Sequence, residues 1–111
     1  MISLEEYLQE NDSSPFGRWL ATLNAQAAAK VSTALVRLEM GNTSNIKWLD
    51  GLGEYRINWG PGYRIYLTQE GKRLIILFGG GDKSTQKKDI KQAKALIAEF
   101  RTRKKAEQNR R

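Results

Sequence analysis

The run Glu54-Tyr55-Arg56-Ile57-Asn58-Trp59-Gly60-Pro61-Gly62-Tyr63-Arg64-Ile65-Tyr66 alternates apolar and polar residues, halts at a turn, and alternates again. Tyr55, Ile57 and Trp59 take every second place against Glu54, Arg56 and Asn58, the period of a strand with one buried face. Gly60-Pro61-Gly62 is a turn, after which Tyr63, Ile65 and Leu67 alternate with Arg64, Tyr66 and Thr68. The turn makes the two strands neighbours. If the apolar set faces a core, Arg56 and Arg64 share the other, open face with Glu54, Asn58 and Tyr66. Two guanidiniums beside a phenol suit phosphate binding and base stacking. The plainer structural alternative is a surface pairing of Arg56 with Glu54.

Downstream, Glu70-Gly71 turns the chain into Leu74-Ile75-Ile76-Leu77-Phe78, an apolar run suited to a strand covered on both faces. Gly79-Gly80-Gly81 is expected to end it, completing an antiparallel meander of three strands. Asp82 to Thr85 offers capping side chains for a last helix that buries Ile90, Ala93, Ile97 and Phe100. From Arg101 the apolar positions stop. Residues 101–111 are therefore expected to be a basic tail that extends into solvent or frays, and residues 1–100 the domain.

Upstream, Ser14-Pro15 opens a helix, a hydroxyl N-cap followed by proline at the first position. Phe16, Trp19, Leu20 and Leu23 then fall on one face. Asn24 caps a second helix in which Val31, Ala34, Leu35 and Leu38 repeat that spacing until Gly41-Asn42. Ile2 to Gln9 alternates weakly and fits either a first strand or a short helix. The expected architecture is α+β: a small antiparallel sheet with two N-terminal helices and one C-terminal helix, the helices grouped on one side.

Composition narrows the chemistry. There is no Cys and no His among the 111 residues, hence no thiol nucleophile, no Ser-His-Asp relay and neither of the usual zinc ligands. Any catalysis falls to Arg, Lys, Tyr, Asp, Glu or a hydroxyl. The net charge of +7 is unevenly placed, with 8 Lys/Arg against 9 Asp/Glu in residues 1–82 but 11 against 3 in residues 83–111. Such a block suits a polyanionic partner, although a solvated helix has the same composition. No apolar run approaches the roughly 20 residues that cross a bilayer, and the first residues are acidic, so a cytoplasmic protein is expected.

Gly79-Gly80-Gly81-Asp82-Lys83-Ser84-Thr85 invites comparison with the phosphate-binding loop G-x-x-x-x-G-K-[ST], but Asp82 stands where that loop needs glycine. What remains is local: N–H groups at a helix start attract anions, and Lys83 adds a full charge.

The central run resembles the E-L-R-[I]-x-x-G-x-G-Y-R-x-Y signature of RelE/ParE superfamily toxins, above all the HigB-like addiction-module killer proteins. Gly80-Gly81-Asp82-Lys83-Ser84-Thr85-Gln86, with Asp89-Ile90 and Ala93, is similar to that branch's G-G-D-K-S-x-Q-x-x-D-I-x-x-A motif. Arg37-Leu38-Glu39-Met40-Gly41-Asn42 matches its R-L-x-x-G-N helix end. The resemblance extends over nearly the whole domain, to Phe100.

It implies a RelE/ParE-like fold and the toxin of a type II toxin–antitoxin pair, a metal-independent, ribosome-dependent mRNA endonuclease that needs no cofactor. In such enzymes the RNA 2′-OH attacks the adjacent phosphate while basic side chains stabilise the charge that develops. By position, the resemblance makes Arg56 and Arg64 the phosphate and transition-state contacts, with Lys83 a further basic catalytic position at the end of the last strand. It leaves Asp89 or Tyr66 for proton transfer, where relatives carry a Tyr or His near the C-terminus. Tyr66, Asn58, Gln86 and Lys87 fall among the implied RNA contacts. The implied partners are an antitoxin with a helix-turn-helix DNA-binding domain, the ribosome and mRNA, with no membrane. Arg64→Ala is expected to abolish toxicity and leave the fold intact. The alternatives are a ParE-like, noncatalytic inhibitor of DNA gyrase and a noncatalytic nucleic-acid-binding module driven by the C-terminal charge.

Overall fold

A computed structural model of the chain describes residues 1–110. The elements run β1 (Ser3–Glu6), α1 (Pro15–Ala21), α2 (Ala25–Glu39), β2 (Ile46–Leu49), β3 (Leu52–Ile57), β4 (Tyr63–Glu70), β5 (Leu74–Gly81), one 3-10 turn (Lys83–Thr85) and α3 (Gln86–Gln108). Ser14 Oγ accepts from the Gly17 N–H at 2.9 Å, and Asn24 Oδ1 accepts from the Ala27 N–H at 2.8 Å. Each cap contributes about 1 kcal/mol to its helix. Gly41, at φ 90°, ends α2: its N–H reaches Leu38 O while that of Asn42 reaches Arg37 O, a Schellman closure.

The α+β class stands, but the sheet differs from the expected meander. It has five strands in the order β1-β5-β4-β3-β2, and it is mixed, because β1 runs parallel to β5. β2 has no counterpart in the reading of the sequence. It pairs antiparallel with β3 through Asp50 and Gly51, at φ 54° and 85°, the two positive angles of a type I′ hairpin. β5 does not stop at its glycines. Gly79, Gly80 and Gly81 pair with Tyr66, Ile65 and Arg64 of β4, after an irregularity at Tyr66/Leu67 that leaves Phe78 without a partner there.

The helices are not grouped on one side. Phe16 of α1 and Val31, Ala34 and Leu38 of α2 pack with Tyr55, Ile65, Leu67, Ile75 and Leu77 on one face of the sheet. α3 covers the other face, setting Ala93 against Leu52 and Tyr66, and Leu96, Ile97 and Phe100 against Tyr7, Ile76 and Phe78. β5 is thus covered on both faces, as its unbroken apolar run requires. Nor does the chain fray at Arg101. α3 continues to Gln108, with Arg103 Nη1 donating to Leu8 O at 2.7 Å and Arg101 Nη1 meeting Glu70 at 2.6 Å. Residues 101–110 are all exposed, so the basic stretch reaches into solvent as a helix held by Arg101, Arg103 and Lys104, and Arg111 lies outside the described residues. None of the described helices is long and apolar enough to cross a membrane.

Candidate functional site: a basic hollow over a buried glutamate

Arg56 of β3 and Arg64 of β4 are direct cross-strand partners, so their side chains leave the sheet on the same face. That face is not open. α3 lies across it, and Glu54, Tyr66 and Arg64 are all buried. Glu54 is the hub. Its Oε1 accepts from Arg56 Nε at 3.1 Å, and its Oε2 accepts from Gln86 Nε2 at 2.8 Å and from the Tyr66 hydroxyl at 3.3 Å, with Arg64 Nε 3.6 Å away. Burial pushes the Glu54 carboxyl up, but hydrogen bonds from Gln86 and Arg56 and the charges of Arg56 and Arg64 outweigh it and hold the group below its usual range. A carboxylate so placed is ionised at neutral pH and fixes both guanidiniums.

The two arginines are held differently. The Arg56 side chain is 47% exposed and gives only its Nε to Glu54. Arg64 is 7% exposed; its Nη1 donates to Gly62 O at 2.7 Å, and its Nε is buried without a hydrogen bond. The loop that supplies this anchor is itself pinned, because the Lys83 N–H donates to Pro61 O at 3.3 Å. Gly62 sits at φ 76° between Arg64 Nη1 and the Lys83 Cβ, each 3.5 Å from where its own Cβ would stand. The Gly-Pro-Gly turn thereby brings Lys83 to the two arginines. Together Arg56, Asn58, Tyr63, Arg64, Lys83 and Gln86 line a hollow of about 350 Å³.

Five of the residues singled out in the sequence, Arg56, Asn58, Arg64, Lys83 and Gln86, therefore converge. Three do not. Tyr66 is fully buried, and its hydroxyl is pushed up by burial and by the charges of Glu54 and Asp89, so it neither stacks on a base nor takes a proton. Asp89 accepts from Thr85 Oγ1 and lines a different cleft, between α1 and α3 over Gly79 and Gly80. Lys87 is exposed on α3 and forms no part of the lining. The N–H groups before α3 are not open to an anion either. Asp82 accepts from the Ser84 N–H at 2.8 Å and from its hydroxyl, and these bonds hold its carboxyl low.

No protein-family model matches the sequence. Over 95 residues the chain is 48% identical to an uncharacterized protein of Haemophilus influenzae, a match covering 84% of this chain and 96% of that one. The chain belongs to the family of that protein.

Two site residues had escaped the sequence reading. Glu54 appeared only as the bland partner of Arg56, although its place on the same strand face, two residues before Arg56 and ten before Arg64, was the available signal. Tyr63 was assigned to the core. Its ring instead stacks on Trp59 at 6.1 Å and 23° and forms a wall of the hollow. The arrangement can bind a phosphate between three cations on three different elements. Tyr63 and Lys83 are the lining residues that carry a transferable proton besides the guanidiniums, which are too basic to give one up.

Proposed function

We propose that this protein is a RelE/ParE superfamily toxin of the HigB-like branch that arrests growth in the cytoplasm by cutting mRNA on the ribosome. One observation carries the reading: Arg56, Arg64 and Lys83 meet in a single hollow whose lining holds no Asp or Glu. An RNA phosphodiester seated there meets donors already fixed in place, Arg64 by Gly62 O and Arg56 by Glu54. As the 2′-OH loses its proton to water and its oxygen bonds to phosphorus, that phosphate gains a second negative charge. The charge is relieved when the bond to the 5′-oxygen breaks and that oxygen takes a proton from water. Preorganised cations stabilise the doubly charged state more than the ground state. The ribosome supplies the in-line geometry by holding the message. A small antitoxin with a helix-turn-helix domain keeps the toxin silent, its acidic segment drawn to the basic hollow and to α3.

A noncatalytic, ParE-like block of DNA gyrase is favoured by one feature, the ionised Glu54 that offsets one guanidinium charge beneath the hollow. Brief induction in cells with mapping of mRNA 5′ ends separates the two. The ribonuclease produces cuts within translated codons, absent with the Arg56→Ala/Lys83→Ala double variant. Intact mRNA together with blocked supercoiling points to gyrase and refutes the nuclease.

A further inference from the structure

On the α2 side of β3 lies a second hollow, of about 270 Å³, bordered by Lys30, Arg37, Asn45, Arg56, Asn58 and Trp59. Arg56, Ile57 and Asn58 border the first hollow as well, so the two adjoin along the end of β3. Lys30 and Arg37 are exposed and two turns apart on one face of α2. Among the described residues neither forms a salt bridge. No Asp or Glu borders this hollow, whereas the clefts beside β1, between α1 and α3, and beside the Asp50 turn each carry at least one.

An aromatic pair joins the two hollows. Tyr63, a wall of the first, stacks on Trp59, a wall of the second, and Lys30 Nζ stands 5.6 Å from the Trp59 ring. Lysine has a long, mobile stem, and an arriving base can displace it from the ring while its ammonium swings to a phosphate. We infer that the second hollow is a subsite for single-stranded RNA flanking the phosphodiester in the first, with Lys30 and Arg37 on the backbone and Trp59 under a base. The inference rests on reading the first hollow as an RNA site. Single-stranded nucleic acid is the ligand that uses all of these groups: backbone charge for the cations, a π-face for the ring, base edges for Asn45 and Asn58. An acidic peptide would engage the cations and leave ring and amides idle.

The test is a fluorescence titration of the purified protein with a single-stranded RNA of uniform sequence, about ten nucleotides long. Binding is expected to quench Trp emission, and Trp59→Phe to remove the quench. Lys30→Ala/Arg37→Ala is expected to weaken binding about tenfold and to flatten the slope of log affinity against log salt by about 1.4, two single-strand contacts. Both replaced side chains are exposed, so an unchanged thermal melt accompanies the loss. Wild-type affinity in that variant, with weakening in Arg56→Ala/Lys83→Ala, overturns the subsite and spares the first hollow. Weakening in Lys30→Ala/Arg37→Ala alone keeps the second hollow as an RNA surface and refutes the first. No RNA binding by the wild type, or a polyglutamate peptide bound with the same losses, overturns the subsite as an RNA site.

Discussion

Arg56 and Arg64 face each other across β3 and β4, and one buried carboxylate, that of Glu54, lies against the Nε of each, at 3.1 and 3.6 Å. Like charges on directly opposed residues destabilise a strand pair. A shared acid beneath them removes that cost and turns a repulsion into a fixed fork. The carboxylate is bound to α3 as well, through Gln86, so the helix start and the guanidiniums are set by the same atoms.

Arg64→Ala is therefore not the clean probe that the sequence suggested. Removing a guanidinium that is 7% exposed leaves Glu54 buried with less compensation. The variant is expected to lose about 3 kcal/mol in urea unfolding. Arg56→Ala, at a half-exposed position, is expected to lose less than about 1 kcal/mol. Equal midpoints for the two variants would contradict the hub.

Stability should fall at both ends of the pH scale. Glu54 lies below its ordinary 4.5 because contacts with Gln86, Arg56 and Arg64 outweigh the upward push of burial. Glu70 lies low because Arg101 donates to it, against burial. Both bind protons more readily in the unfolded chain, so the stability they contribute is complete above their ordinary range and is lost as pH drops through it. Tyr66 is the reverse case. Burial, then Glu54 and Asp89, raise its hydroxyl above the ordinary 10.0, so its contribution is present below that pH and lost above it. Urea midpoints across pH should show both losses, with the acid limb shallower in Glu54→Gln and the alkaline limb shallower in Tyr66→Phe.

The three glycines of β5 should not be equivalent. A Cβ at Gly80 would enter the Trp19 ring, and one at Gly81 would overlap the Asp89 carboxylate, whereas nothing lies within 4 Å at Gly79. Gly80→Ala and Gly81→Ala are expected to cost about 1–3 kcal/mol, by overpacking against α1 and α3 respectively. Gly79→Ala should stay within about 0.5 kcal/mol. Only Gly81→Ala, which displaces the start of α3 where Gln86 holds Glu54, should also weaken the hollow's function at a temperature where the protein is folded.

A chain stopped after Phe100 should be less stable, by about 1–3 kcal/mol, since each exposed ion pair contributes little but Glu70 loses both cations at once. Thermal unfolding reads this directly. An unchanged melting temperature would mean that the last two turns of α3 are ornament.

Much of this was legible in the residues. Period-two alternation placed Arg56 and Arg64 on one face, and the caps at Ser14 and Asn24 placed the helices. Two things were not. Alternation says which residues share a face but not what covers it, and the apolar stripe of α3 reads the same on either side of a sheet. So Tyr66 looked like an exposed stacking platform when it is the floor beneath α3. β2 was missed because Lys47 and Trp48 are both exposed, which breaks the alternation, although Asp50-Gly51 carried the hairpin signal. The parallel place of β1 is a long-range pairing with β5 that no local pattern encodes.

The most direct measurement adds the purified protein to ribosomes programmed with a defined message and identifies the ends that form. A cut at the decoding site leaving a 2′,3′-cyclic phosphate is expected, and it should vanish in the well-folded Arg56→Ala/Lys83→Ala protein. An intact message with wild type, or the same cut with the double variant, would contradict a cleaving hollow.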